Sequence, residues 1–152
     1  MLFKLKYSKE IVTRTVRLRL LENDTIYYTF LENGVVDEKE HLLNHKALHD
    51  IADGKRYPMI IDSYEIASIT PEAKKLIRKT EESAPITCRA VVVKSVSQRM
   101  LANFFIKFHD PFVPTTVFDK YEDAISWASS KKLSNKDLPS STKKAIVESN
   151  LL

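Results

Sequence analysis

The sequence predicts an α/β domain: a mixed sheet built from an N-terminal hairpin and parallel strands, with about four helices packed against it. Three observations lead there. Thr13–Leu20 alternates, with Val16, Leu18 and Leu20 on one face and Arg17 and Arg19 on the other. From Asp37 onward, short apolar runs alternate with helical segments of about 10–15 residues, the order of a sheet with right-handed crossovers. Finally, Ala90-Val91-Val92-Val93 is continuous rather than alternating, as in a strand covered on both faces.

The elements follow in order. Glu22-Asn23-Asp24-Thr25 is a turn, and Ile26–Leu31 is rich in β-branched and aromatic residues, so it closes a hairpin with Thr13–Leu20. Asn33-Gly34 turns the chain before a short Val35-Val36. Asp37 opens a helix, Glu40 completes a capping box three residues later, and Gly54 closes it. Tyr57–Asp62 is an apolar run suited to a buried strand. Thr70-Pro71-Glu72 starts a helix, because proline at the first helical position gives up no hydrogen bond there. That helix is expected to bury Ala73, Leu76 and Ile77. Cys88–Lys94 is the next strand. Ser97–Phe108 is a helix with Met100, Leu101, Phe104, Phe105 and Phe108 on one stripe, of which the Phe104, Phe105 and Phe108 cluster is most simply core. Asp110-Pro111 ends it, and Thr115–Phe118 is a short strand. Asp119 and Glu122 are expected to cap a last helix carrying Ala124, Ile125, Trp127 and Ala128. Residues 1–12 read as an N-terminal segment and 13–130 as the single domain. Residues 131–152 read as a basic, loosely attached tail.

Composition excludes whole classes. With two glycines, Gly34 and Gly54, in 152 residues, no glycine-rich phosphate loop or dinucleotide fingerprint can be written. One cysteine, Cys88, forms neither an internal disulfide nor a thiolate metal cage, which fits a reducing cytoplasm. No apolar run approaches the roughly 18 residues of a membrane span, and Met1–Lys9 has no signal-peptide core. The net charge of +4 is unevenly spread: +5 over residues 1–20, −4 over 21–130 and +3 over 131–152. Arg14, Arg17 and Arg19 form the one dense basic set, and they fall on both faces of a strand, whereas a phosphate-tracking surface needs them on one. Nucleic-acid binding is not expected.

Candidate sites are few. In such sheets a ligand lies beyond the carboxyl ends of the strands, here Asp62-Ser63, Lys94-Ser95 and Asp119. Asp and Ser at those places also serve as turn formers and helix caps. His41, His45 and His49 recur every fourth residue of the first helix, flanked by Asp37 and Asp53. Two imidazoles at that spacing can share a zinc ion, but the row drifts about 40° per step, which parts the outer two. A polar helix face is the expectation, with no metal and no cofactor. Cys88 heads a buried strand, His109 lies near a helix C-terminus, and Glu81-Glu82 and Glu122-Asp123 are surface pairs. None makes a nucleophile–base pair, so no catalytic residue is assigned. Phe104, Phe105 and Phe108, if not all core, would cover a partner or an apolar ligand.

Tyr57-Pro-Met-Ile-Ile-Asp62, Ile66-Ala-Ser-Ile-Thr-Pro-Glu-Ala73 and Thr116-Val-Phe-Asp-Lys-Tyr-Glu-Asp-Ala-Ile-Ser-Trp127 resemble the bacterial SpoIIAA-like small proteins of the STAS/SEC14 type. The resemblance covers roughly residues 13–130 and lies in element order and apolar positions. It implies a mixed sheet with helices against it and a non-enzymatic role. Anti-sigma-factor antagonists of that type carry a phosphorylatable serine at the start of the helix following the Asp62-type strand. Here the position falls on Pro71 or Glu72, neither with a hydroxyl, and Thr70 is the nearest hydroxyl. The extra helices that line a SEC14-type lipid pocket have no residues here to build them.

The expectation is therefore a cytoplasmic, non-enzymatic regulatory or protein-interaction module, a homodimer with a further protein partner of unknown pathway. The alternative is a carrier of a small apolar or lipid-like ligand. Candidate contacts are Asp62, Ser63, Thr70, Lys94, Ser95, Phe104, Phe105 and Phe108.

Overall fold

The computed structural model describes residues 6–31, 34–62, 68–109 and 111–131. Among these residues eight strands and four α-helices follow in order: β1 (Tyr7–Val12), β2 (Val16–Leu21), β3 (Ile26–Phe30), β4 (Val35–Val36), α1 (Glu38–Ala52), β5 (Tyr57–Asp62), β6 (Ser68–Ile69), α2 (Pro71–Thr80), β7 (Ile86–Val92), α3 (Val96–His109), β8 (Thr115–Phe118) and α4 (Tyr121–Ser130). The main sheet runs β1-β2-β3-β5-β7-β8, while β4 and β6 form a separate parallel pair. β1 with β2 and β2 with β3 pair antiparallel; β3, β5, β7 and β8 pair parallel in that order. The mixed α/β sheet expected from the sequence is what forms.

The hairpin forms as the pattern requires. Val16, Leu18 and Leu20 are buried, and Val16 to Leu20 pair with Phe30 to Ile26. Asp24 takes a left-handed φ of 59° in the connecting turn. One boundary differs from the sequence reading: Tyr7–Val12, expected as a segment ahead of the domain, is an edge strand of the sheet. Its residues are mostly exposed, so it lacked the buried alternation that marks a strand. Lys9 and Glu10 place charge on that free edge, which discourages further pairing.

Helix α1 begins at Asp37, whose carboxylate accepts from Glu40 N at 2.8 Å. The reciprocal arm of the box is absent, since Glu40 turns toward Arg14 at 3.8 Å. Two left-handed residues end the helix, Asp53 (φ 50°) and then Gly54 (φ 79°), the second at no steric cost. Its buried side, Ala47, Leu48, Ile51 and Ala52, packs on one sheet face with Leu18, Ile26, Met59 and Ile86. α4 covers the opposite face, where Ala124 and Ala128 meet Leu21, Tyr27, Ile60, Cys88, Ala90 and Val92. Small alanines let this helix approach the strands closely. Burying these apolar side chains contributes roughly 1.5–3 kcal/mol for each large one.

Three local expectations need correction. α4 is capped by Lys120, without a side-chain hydrogen bond, rather than by Asp119, which instead faces Arg99 at 3.7 Å. α2 fully buries only Ala73; Leu76 and Ile77 are half-buried because the helix rests on α1 rather than on the sheet. The largest departure is α3. Three described members of its stripe are not core: Met100, Leu101 and Phe104 stand 68%, 71% and 59% exposed. The helix follows the strand that adjoins β8, and among the described residues its main contact is with β8 rather than with either face of the sheet.

Candidate functional site

Because β3, β5, β7 and β8 run parallel, their carboxyl ends share one edge of the sheet. Asp62 closes β5 there and is only 4% exposed. Tyr27 pairs with Ile60 across the ladder, so Asp62, two residues on, lies on the same face. The Tyr27 hydroxyl donates to Asp62 Oδ2. Tyr121, the first residue of α4, sets its ring edge-to-face on Tyr27, centroids 5.8 Å apart. Its own hydroxyl is buried with no hydrogen-bond partner among the described residues.

The electrostatics follow from burial. Desolvation pushes the Asp62 carboxyl above the usual carboxylate range, partly opposed by the Tyr27 hydrogen bond and by the charge of Lys94. Tyr27 is held protonated by burial and by the adjacent carboxylate, and Tyr121 is also pushed up by burial. Tyr27 is thus the donor and Asp62 the acceptor of a buried hydrogen bond that Tyr121 of α4 packs against. It positions the β5 terminus against α4.

The other polar candidates at this end serve as caps. Ser95 Oγ accepts from Gln98 N at 3.1 Å, and Gln98 Oε1 accepts from Lys94 N at 2.7 Å. Together they clamp the start of α3, a capping device the sequence reading did not identify. Thr70 Oγ1 accepts from Ala73 N at 3.1 Å, as expected of the residue before Pro71. Asp62, Lys94 and Ser95 thus sit at the shared edge, while Thr70 belongs to α2 beside the β4–β6 pair. Ser63 and the side chains of Phe105 and Phe108 lie outside the described set.

The histidine row is drawn into the contact between α1 and the chain around α2. His41 Nε2 meets Thr80 Oγ1 at 2.8 Å, and His45 Nε2 meets Ser83 Oγ at 3.2 Å. His49 Nε2 lies 3.1 Å from His45 Nε2, so one nitrogen must donate and the other accept. Burial, with the neighbouring His49 and His41, lowers the His45 pKa to about 4; burial also lowers His41 and His49. All three favour the neutral form. Among the described residues, no group of three or more His, Cys, Asp or Glu side chains is placed to hold a metal ion. Cys88 is buried, which raises its thiol pKa and makes it a small apolar core residue.

The outer face of α3 is the other feature left for function. Val96, Met100, Leu101 and Phe104 are 75%, 68%, 71% and 59% exposed. They fall within about 140° of the helix circumference, and the half-buried Gln98, Arg99, Ala102 and Ile106 occupy the opposite side. Residues 83–109 contain no acid. Of the sequence candidates, Phe104 alone lies on this stripe with its side chain described. Met100 and Leu101 belong to the stripe visible in the sequence, and Val96 joins it only in the structure.

The description of a domain of unknown function, DUF7793, fits a family model matching residues 19–132. No curated protein matches the chain. Among solved structures, an uncharacterized protein of the DUF3478 family from Shewanella loihica PV-4, described as having a SpoIIAA-like fold, superposes with a TM-score of 0.54. It is 13% identical over 82% of this chain and 94% of its own. The likeness is one of fold, and the fold is SpoIIAA-like.

Proposed function

The chain belongs to the DUF7793 family of unknown function, and we propose that it is a non-enzymatic regulatory or protein-interaction module that docks through the outer face of α3. One observation carries this reading: four large apolar side chains in one stripe of a single helix, each more than half exposed. A stripe of this kind marks a contact surface more often than scattered single residues do. The polar groups at the carboxyl edge support it from the other side. There Tyr27 is engaged with Asp62 and Ser95 caps α3, and away from that edge Thr70 caps α2, so these hydroxyls hold the fold together. The alternative, a carrier of a small apolar or lipid-like ligand, would use the same stripe as a wall.

Native mass spectrometry separates the two. The expected result is polypeptide mass alone; a lipid or metabolite retained at one per chain would overturn the module reading. Affinity capture with wild type and Leu101→Glu adds a second arm, with a partner expected on the wild type and lost on the variant. Equal capture by both would remove α3 from the docking surface.

A further inference from the structure

Deepening the interaction-module reading, on which it rests, we infer that the outer face of α3 is a self-contact: two copies of this chain pack α3 against α3 about a two-fold axis near Met100. Val96, Met100 and Phe104 are spaced four apart, which makes a straight ridge about 12 Å long on the helix surface. A two-fold through the middle member turns that ridge onto itself. Met100 then meets Met100 of the other copy, and Val96 of each meets Phe104 of the other. The small residue faces the large one, so neither end is overfilled. Met100 is unbranched and adapts to its own image on the axis. Antiparallel helices also set opposite macrodipole ends side by side.

Area and composition agree with this occupant. At their exposures, Val96, Met100, Leu101 and Phe104 leave about 500 Å² open per copy, so a pair brings together about 1,000 Å² before any flanking residue contributes. That reaches the floor of roughly 1,000 Å² for a biological interface and suits a weak, micromolar dimer to which flanking residues add. Aromatic and Met side chains without acidic residues are the usual make-up of an interface centre. Arg99, on the flank of the helix, faces Asp119 of its own chain at 3.7 Å, which tempers positive charge beside the seam.

Sedimentation velocity across the micromolar range is the test, run on the full chain. Wild type is expected to sediment as a dimer. Met100→Lys, which sets two like charges on the axis, should weaken dimerisation by about 100-fold or more, with an unchanged circular-dichroism melt at concentrations too low for association because Met100 is exposed. The register has its own control. Val96→Glu and Phe104→Lys should each be monomeric alone and form a mixed dimer when combined, since the new Glu meets the new Lys. A wild type that stays monomeric, or a dimer indifferent to Met100→Lys, overturns the self-contact; so does a monomer that sediments with anionic vesicles. A mixture of the two variants that stays monomeric overturns the proposed register. The dimer and the module reading fail separately. A dimer holding a stoichiometric small molecule would sink the module and spare the self-contact, and an empty monomer would do the reverse.

Discussion

Tyr27 and Asp62 show how a single polar pair is tied to the strand register. A carboxylate that is 4% exposed needs donors, and the Tyr27 hydroxyl is one of them. Tyr27→Phe removes that donor from a buried charge, so it should cost about 1–3 kcal/mol in urea unfolding and push the Asp62 pKa further up. Asp62→Asn keeps an acceptor for the hydroxyl and removes the charge that burial penalises, so its cost should be smaller. Carbon-detected titration of the carboxyl reads the shift directly, and an unchanged Tyr27→Phe stability would disprove the pair's role. Thr70 is a simpler case. Its oxygen caps α2, so Thr70→Ala should cost about 1 kcal/mol and leave partner binding nearly unchanged. The neighbouring Pro71 and Glu72 offer no hydroxyl. Substantial phosphate on Thr70 in protein from its native host, with a partner that binds one form only, would contradict that reading.

At the level of elements, the contact between α1 and the chain around α2 is acid-sensitive. The unfolded chain takes a proton on His45 near pH 6.5, whereas the folded chain waits until about 4. Between those values the unfolded state holds more protons, so lowering the pH favours unfolding. Stability is complete above about pH 6.5 and falls toward pH 4, by at most about 1.4 kcal/mol per pH unit for one group. Asp62 acts in the opposite sense, since a raised carboxyl pKa favours the folded state in acid. The two can be separated with His45→Gln, which retains a hydrogen-bonding group toward Ser83 without titrating near neutrality. Its melting midpoint should vary less between pH 6.5 and 4 than that of wild type. An equal dependence would mean the row carries none of the acid response.

Across the whole molecule, the two sheet faces differ from α3 in what they contribute to stability. Leu18 is fully buried in the α1 layer, and Leu18→Ala should cost about 2–5 kcal/mol. Phe104→Ala removes a larger side chain, yet its cost in the monomer should be well below that of Leu18→Ala, because Phe104 is 59% exposed. Thermal melts of the two variants at concentrations too low for association make the comparison. A large loss for Phe104→Ala would return α3 to the core and remove the basis for docking.

Much of this architecture is local, and local chemistry is legible in one sequence. Period-2 alternation marked the hairpin, Asp37 and Thr70-Pro71 marked helix starts, and the aliphatic run at residues 90–93 marked a buried strand of a parallel sheet. Each signal is carried by neighbours in the chain, so each survives without knowledge of the fold. The failures needed long-range information. β1 is mostly exposed and is a strand because β2 offers a free edge. Tyr27 finds Asp62 only once β3 and β5 lie side by side in register. Above all, an apolar helical stripe reads the same whether another layer covers it or not. Tertiary structure alone decided that α1 and α4 cover the two sheet faces while α3 lies against the edge strand, leaving Val96, Met100, Leu101 and Phe104 exposed. Hydrophobicity says that a surface favours leaving water; only the arrangement of layers decides whether this chain or another molecule removes it.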